Sequence, residues 1–373
     1  MDPKHPRLLF RFHASPRGAL GAGRAGAKRR VWRPGDGANV AMSLAVNEEP
    51  LTEVRGINPE AAVAAIRARG VRFAARDHAP DGRKLALVVE GGALRAVCSA
   101  GGVVALEHLG LTEVFDHVYG TSAGAMNASY FVTGQARLGI RIYYEDMNRR
   151  AVVNPWRFWK ILDLDRLFEQ TILGGKRLRL GAILAARSKL HIATLEAKTG
   201  TGRIFDAQAL GGEAELLSVL RAATAAPFLY NQPVTVAGGR CLDAGLVNSF
   251  PIADAVAAGC TDILVLLTRP FAYRRPRAGR LMRWLFNRIC AAGNPLLSRA
   301  FQLRHERDAA LRDLAFGRLP VAAGVNIATI CTDDVELVQR MTTERSLLQA
   351  AALAFGRKTL RVLGANPDGW TLE

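Results

Sequence analysis

From residue 84 onward, short apolar runs alternate with segments in which apolar residues recur at helical spacing. Leu85–Val89 is an uninterrupted apolar run typical of a buried strand, and Val97–Leu109 behind it has helical spacing. Val114–Tyr119 predicts a second strand, again followed by a helix. Later segments predict extended structure at 189–197, 203–205, 233–237, 263–267 and 324–331 and a helix at 213–223. Such alternation is typical of an α/β fold, so we expect a largely parallel central sheet flanked by helices.

The composition is that of a folded protein. The chain has 373 residues, of which 49% are hydrophobic and 22% are charged, which excludes collagen-like, disulfide-scaffold and fully disordered classes. Five scattered cysteines without a CxxC pair predict neither a disulfide framework nor a zinc site. With neither a long apolar run nor a signal-peptide core, the sequence favours a cytoplasmic protein.

The net charge of +17 is concentrated in arginine-rich stretches. The stretch Ile263–His305 contains nine arginines and no acid. Within it Leu281, Leu285 and Ile289 fall on one helical face, while arginines share another. This basic amphipathic helix either docks on an anionic membrane surface or packs its apolar face on its own domain. No helix-turn-helix, zinc-finger or RNP pattern is present, so we do not expect nucleic acid as a partner.

A glycine-rich loop lies between the first predicted strand and the helix after it. Its sequence, Glu90-Gly-Gly-Ala-Leu-Arg-Ala96, places Gly91, Gly92 and Ala93 where the chain turns. Glycines allow backbone N–H groups to converge on an anion, and a helix N-terminus adds partial positive charge. The loop therefore suits either a phosphate or the oxyanion that forms during acyl transfer. It matches neither the dinucleotide fingerprint nor the phosphate loop of nucleotide-binding proteins.

The second predicted strand leads into Gly120-Thr-Ser122-Ala-Gly124. A serine on a sharp strand-to-helix turn presents its hydroxyl at the edge of the sheet, and small flanking residues relieve the crowding there. We therefore expect Ser122 to be a nucleophile on a nucleophile elbow formed by Gly120 and Gly124. The alternative is an ordinary helix N-cap.

A nucleophilic serine needs a base. A triad in the order Ser-Asp-His would have to use His305, which lies among arginines that oppose its pairing with an acid. Asp243, on a predicted turn after an extended segment, can instead reach a serine at the same sheet edge. A carboxylate can act as general base when burial raises its pKa. The alternative for Asp243 is a turn aspartate that stabilises its own backbone.

The three motifs, in this order, resemble those of the patatin-like phospholipase family, in particular its bacterial esterase members. The family pattern is a G-G-G-x-R-G loop, a G-x-S-x-G serine and a D-G-G or D-G-A aspartate. The resemblance implies a patatin-like sandwich, a Ser122–Asp243 dyad without histidine, and neither metal nor cofactor. It also implies an oxyanion hole made by the backbone N–H groups of Gly91, Gly92 and Ala93, with Arg95 holding the loop or contacting a headgroup.

The chain departs from the family pattern at three alanines. Ala93 replaces the third glycine of the loop, Ala96 the glycine after the arginine, and Ala244 the middle glycine of the aspartate motif. The expected function is a serine acyl hydrolase acting on lipid or phospholipid esters. The alternative is a catalytically weak or inactive membrane-associated adaptor.

Four segments are predicted along the chain. Residues 1–41 form a basic arm, expected to be disordered, and residues 42–83 an N-terminal extension. Residues 84–270 form the patatin-like catalytic core, and residues 271–373 complete the domain with the arginine-rich helical region and a C-terminal strand and helices. The arm either binds anionic lipid or nucleic acid or is an inert tail before a true start at Met42. Expected partners are a lipid or ester substrate and, peripherally, an anionic membrane surface.

Overall fold

The computed structural model describes residues 53–147, 152–154, 156, 161–230, 232–333 and 338–372. The arm predicted at residues 1–41 lies outside the described residues.

The described residues contain nine strands, all in one sheet. In chain order they are β1 (Arg55–Ile57), β2 (Leu85–Val89), β3 (His117–Thr121), β4 (Lys189–Glu196), β5 (Thr201–Asp206), β6 (Val234–Val236), β7 (Gly239–Asp243), β8 (Asp262–Leu266) and β9 (Asn326–Ile330).

Helices cover both faces of the sheet. In chain order they are α1 (Pro59–Ala74), α2 (Val97–His108), α3 (Ala123–Val132), α4 (Ala136–Glu145), α5 (Leu164–Arg166) continuing as a π-helix (Leu167–Gly175), α6 (Leu180–Leu184), α7 (Glu213–Thr224), α8 (Ile252–Ala257), α9 (Arg280–Ile289), α10 (Pro295–Ala315) and α11 (Arg345–Val362). Short 3-10 turns span Ala93–Ala96, Ala207–Ala209 and Ala244–Leu246.

The centre of the sheet is parallel and its margins are antiparallel. The strand order is β1-β9-β8-β2-β3-β4-β7-β6, with β5 paired to β4. The five central strands run parallel to one another, in the order β9, β8, β2, β3 and β4. By contrast, β1, β5, β6 and β7 pair antiparallel. The predicted α/β fold with a largely parallel central sheet flanked by helices is confirmed.

The burial of both faces of strand β2 explains why its sequence is an unbroken apolar run. Leu85, Leu87 and Val89 belong to the core on one face of the sheet, and Ala86 and Val88 to the core on the other. Because helices cover both faces, alternate side chains in this central strand are equally buried, which removes the polar alternation of a half-exposed strand.

The second predicted strand begins later than expected. It was predicted at Val114–Tyr119, but β3 starts at His117. Val114 instead forms a turn in which its N–H donates to the carbonyl of Leu111 at 3.2 Å. Its side chain is fully buried. The apolar run therefore includes buried turn residues as well as the strand, which is why the strand was predicted to begin too early.

Candidate functional site

Ser122 lies on a tight turn between β3 and α3. Its backbone has φ 58° and ψ −134°, a conformation that a non-glycine residue adopts only when its surroundings enforce it. The flanking glycines leave no room for side chains. A Cβ on Gly120 would lie 2.5 Å from the Cα of Ala125, and one on Gly124 would lie 2.4 Å from the carbonyl oxygen of Val89. The predicted strand-turn-helix arrangement around Ser122 is therefore present.

The register of the sheet brings Asp243 to Ser122. Strand β3 pairs with β4 up to Thr121 opposite Ala193, and β7 pairs with β4 from Thr194, which lies opposite Asp243. Strand β5 occupies the other edge of β4. Since a strand has two hydrogen-bonding edges, β3 and β7 share one edge and approach each other end to end. Thr121, just before Ser122, and Asp243 are far apart in sequence, but they thus lie opposite neighbouring residues of β4.

The side chains of Ser122 and Asp243 line the same cavity and lie close enough to interact. The carboxylate of Asp243 also accepts a bond from the N–H of Gly245 at 2.8 Å. Asp243 is only 5% exposed, and its burial raises the pKa of the carboxyl group, while the interaction with Ser122 and the bond from Gly245 oppose that rise. Asp243 also caps the short turn after it, so the turn role and the contact with Ser122 coexist.

The glycine-rich loop packs directly against the serine. A Cβ on Gly91 would lie 2.4 Å from the carbonyl oxygen of Thr121 and 2.8 Å from the Cβ of Ser122. Within the described part of the chain, the N–H groups of Gly91, Gly92 and Ala93 find no hydrogen-bond acceptor. These three successive donors line the same cavity as Ser122. They are therefore available to an anion beside the hydroxyl.

Buried side chains hold this loop in place. The carboxylate of Glu90 accepts bonds from the N–H of Thr268 at 2.6 Å and from its hydroxyl at 3.1 Å. The Thr268 hydroxyl also lies 2.9 Å from the carbonyl oxygen of Gly91. From the other side, the amide of Asn127 donates to the carbonyl of Ala96 at 2.9 Å. The loop is thus tied both to the segment that follows β8 and to α3.

The alanines that depart from the family pattern occupy different backbone conformations. Ala93 has φ 53°, in the left-handed region where glycine is favoured. Ala96 has φ −66°, which any residue adopts, and Ala244 is fully buried in its turn. Arg95 is also buried, and its Nε donates to the hydroxyl of Thr268 at 3.3 Å.

Ser122 and Asp243 open into a cavity of about 980 Å³, counting the part that faces solvent. Its wall is mainly apolar, with side chains from α3, α4 and the segment 162–172; examples are Met126, Ile142, Met147, Leu162, Leu167 and Ile172. Three arginines, Arg95, Arg275 and Arg340, also line it. The cavity therefore offers an apolar surface and positive charge next to the hydroxyl.

The structure brings together Ser122, Asp243, Arg95 and the loop donors, whereas His305 is not among the residues that line the cavity. The Nδ1 of His305 lies 3.0 Å from the carbonyl of Gln302 on its own helix. Glu90, Asn127, Thr268, Arg275 and Arg340 were missed by sequence analysis. Glu90 and Arg275 lie within or beside predicted motifs, but no local pattern indicates the role of Arg340.

Residues 87–256 match the family model of the patatin-like phospholipases. The predicted family resemblance is confirmed. The match covers the glycine-rich loop, the serine turn and the aspartate turn. At the level of the family it supports lipid acyl hydrolysis as the class of activity.

Two individual proteins are similar to this chain. YjjU of Escherichia coli (strain K12), described as an uncharacterized protein, is 28% identical over 218 residues, which are 54% of this chain and 57% of YjjU. The chain thus spans little more than half the length of that relative. Among solved structures, VipD from Legionella pneumophila is 13% identical with a TM-score of 0.38, and the match covers 76% of this chain and 67% of VipD.

Proposed function

We propose that this protein is a serine acyl hydrolase that cleaves acyl esters of lipids through a Ser122–Asp243 dyad. The observation that carries the proposal is the proximity of these two side chains at the head of an apolar cavity, beside three backbone N–H groups that have no acceptor among the described residues. Each part supplies one requirement of acyl transfer: a nucleophile, a base, an oxyanion site and a surface for the acyl chain.

In the proposed reaction, the Ser122 hydroxyl attacks the ester carbonyl while its proton passes to the carboxylate of Asp243. The raised pKa of Asp243 suits it to take this proton. The N–H groups of Gly91, Gly92 and Ala93 stabilise the tetrahedral oxyanion. Asp243 then returns the proton to the leaving alcohol as the acyl-enzyme forms. In the second half, water attacks the acyl-enzyme with Asp243 again as base, which regenerates the serine.

The nucleophile is tested by covalent labelling. A fluorophosphonate probe is expected to label the wild-type protein and not the Ser122→Ala variant. Labelling should accompany hydrolysis of p-nitrophenyl esters of graded chain length, with the rate rising as the chain fills the apolar wall. A folded wild-type protein that takes no label and turns over no ester would contradict the proposal and favour the adaptor alternative.

We further propose that α9 contacts an anionic lipid surface. Leu281, Trp284 and Ile289 are 69%, 61% and 50% exposed, while Phe286 turns inward and stacks on Phe301 at 4.0 Å between ring centroids. The helix is thus anchored by one aromatic side chain and leaves most of its apolar side chains outside. Arginines on the same helix and no acids complement anionic headgroups.

The surface contact is tested by sedimentation with vesicles. The variant Leu281→Ser/Trp284→Ser is expected to bind vesicles of phosphatidylglycerol and phosphatidylcholine less than wild type. Leu319→Ser is the matched control, because Leu319 is an exposed apolar residue outside α9 at 42% exposure. Binding should also weaken with salt and be lost on purely zwitterionic vesicles. Equal binding of all three proteins would contradict the role of α9.

No helix among the described residues is long and apolar enough to cross a membrane.

A further inference from the structure

Arginines accumulate around the cavity beyond what the proposed chemistry uses. Arg275 and Arg340 line the cavity directly. Arg269 and Arg304 lie close enough to interact electrostatically with one or both of them. Arg340 belongs to the segment that touches the oxyanion loop, since its carbonyl accepts the N–H of Leu94 at 3.2 Å. The positive charge therefore lies beside the reacting centre.

Several of these guanidinium groups have little to bond to. Within the described residues, Arg340 makes neither a salt bridge nor a side-chain hydrogen bond. The buried Nε atoms of Arg269 and Arg304 likewise find no acceptor. These two arginines lie instead over aromatic rings, Arg269 on Tyr273 and Arg304 on Phe301, at 3.8 and 3.9 Å from the ring centroids.

The nearby carboxylates are already engaged. Asp308 binds Arg275 at 2.9 Å, Arg312 at 3.3 Å and the hydroxyl of Ser249 at 2.7 Å. The carboxylate of Glu90 accepts two bonds from Thr268, as described above, and lies 3.6 Å from Arg312. The third acid, Asp243, accepts a bond from the N–H of Gly245 and interacts electrostatically with Arg340, so three carboxylates face a larger number of arginines and Arg340 has no salt bridge among the described residues.

The crowding affects the arginines themselves. Burial, and then repulsion from Arg275 and Arg340, lowers the pKa of Arg304 to about 10. Burial also lowers the pKa of Arg340, with repulsion from Arg275 adding to it. An anion placed among these groups would remove part of this repulsion, and water is a poorer partner for them than a multivalent anion.

We propose that Arg340 and Arg275 bind a phosphate group on the alcohol side of the ester, so that the enzyme selects phosphate-bearing acyl esters over neutral ones. The acyl chain has no reason to enter the positive region, because the apolar wall supplied by α3, α4 and the segment 162–172 is available to it. Arg340 would bind the phosphate with a guanidinium group that has no salt bridge among the described residues, and Arg275 would bind it with the part of its guanidinium group that Asp308 does not engage. This inference rests on the proposed acyl hydrolase activity.

The test uses two soluble esters with the same acyl chain and glycerol unit. One is 1-hexanoylglycerol 3-phosphate and the other is 1-hexanoylglycerol, both assayed as monomers so that no lipid surface is involved. Wild type is expected to show a higher kcat/KM for the phosphate ester. The Arg340→Gln variant is expected to lose about tenfold or more of this preference, because it removes a charge-assisted hydrogen bond to the phosphate.

Matched variants separate this role from a structural one. Arg340→Lys keeps the charge and is expected to retain part of the preference. Arg76→Gln removes a positive charge from an exposed turn outside the cavity lining and should leave the preference intact. Equal turnover of the two esters by wild type would overturn the inference. The same conclusion follows if Arg340→Gln slows both esters by the same factor.

Binding separates failure of this inference from failure of the proposed function. If wild type hydrolyses neither ester, the proposed activity is wrong, and titration calorimetry of the Ser122→Ala variant then decides the anion site. Glycerol 3-phosphate is expected to bind, and to bind at least tenfold more weakly when Arg340→Gln is added. Inorganic phosphate that binds as tightly as glycerol 3-phosphate would overturn the assignment to the leaving group. Absence of binding by both would overturn the site itself.

Discussion

The two walls of the cavity around Ser122 are built in opposite ways. The wall formed by the glycine-rich loop and the serine turn is tightly bonded, with Glu90, Thr268 and Asn127 fixing the backbone on both sides. The arginine wall of Arg275 and Arg340 carries charge that the protein leaves partly uncompensated. A rigid wall suits the chemistry, which needs donors fixed before the oxyanion forms. The uncompensated charge of the arginine wall suits substrate selection, because binding of an anionic substrate group there would be favourable.

The largest effect is expected at the proposed Ser122–Asp243 dyad, where the first wall meets Asp243. Asp243→Asn keeps the shape and removes the base, so kcat should fall by roughly a thousandfold or more. Esterase kinetics measure this loss, and circular dichroism checks the fold. Activity within tenfold of wild type would show that another group accepts the proton from Ser122.

Next in size is Gly91→Ala in the rigid wall. The added methyl would lie 2.4 Å from the carbonyl oxygen of Thr121, so the loop must move and the oxyanion donors with it. Loss of such a donor costs about 100-fold or more in kcat. Gly279→Ala is the control, because a Cβ there meets nothing within 4 Å. If the two variants retain the same kcat, the loop is not the oxyanion site.

A smaller effect is expected on the pH dependence of the rate, because the arginine wall influences the pKa of Asp243. Burial raises the pKa of Asp243, and Arg340 and Arg275 act in the opposite direction. Asp243 must be ionised to accept the proton, so the rate falls as the pH drops through this pKa. Arg340→Gln removes an opposing charge, raises the pKa of Asp243 further, and should move the acidic limb of the pH–rate profile to higher pH. The limb is measured with p-nitrophenyl butyrate, and a shift to lower pH would contradict the arrangement.

The smallest effect concerns strain within the rigid wall. Ala93 has φ 53°, which costs an L-residue about 1–2 kcal/mol, so Ala93→Gly should stabilise the protein by roughly 0.5 kcal/mol after the entropy of glycine is included. Ala96→Gly, at φ −66°, should destabilise it by about 1 kcal/mol. Chemical denaturation measures both. If Ala93→Gly destabilises as much as Ala96→Gly, the loop does not strain Ala93.

The two walls also differed in how far they could be predicted. The loop and the serine turn are local, because a strand, a few small residues and a helix follow one another along the chain, and periodicity and glycine placement indicate all three. Asp243 was predicted as a partner because it lies in a turn after an extended segment, although its meeting with Ser122 depends on β3 and β7 sharing one edge of β4. Arg340 offered no such signal.

The amphipathic helix α9 was predicted only in part. Leu281 and Ile289 were predicted on one apolar face of α9, which either faces a membrane or packs on the domain. The helix exists, but Phe286 is the side chain that packs inward, while Leu281 and Ile289 stay exposed. Spacing defines a face, but it does not say which elements cover that face once the chain is folded.

Local sequence patterns were enough to predict the alternation of strands and helices from residue 84 onward, the tight turn at Ser122 and the resemblance to patatin-like phospholipases. These depend on backbone preferences and side-chain periodicity over a few neighbouring residues. Three features appear only in the folded chain. Asp243 lies beside Ser122, Thr268 and Asn127 hold the glycine-rich loop in place, and Arg275 and Arg340 line the same cavity. Contacts between distant segments and the balance of their charges arise only when the sheet register brings those segments together.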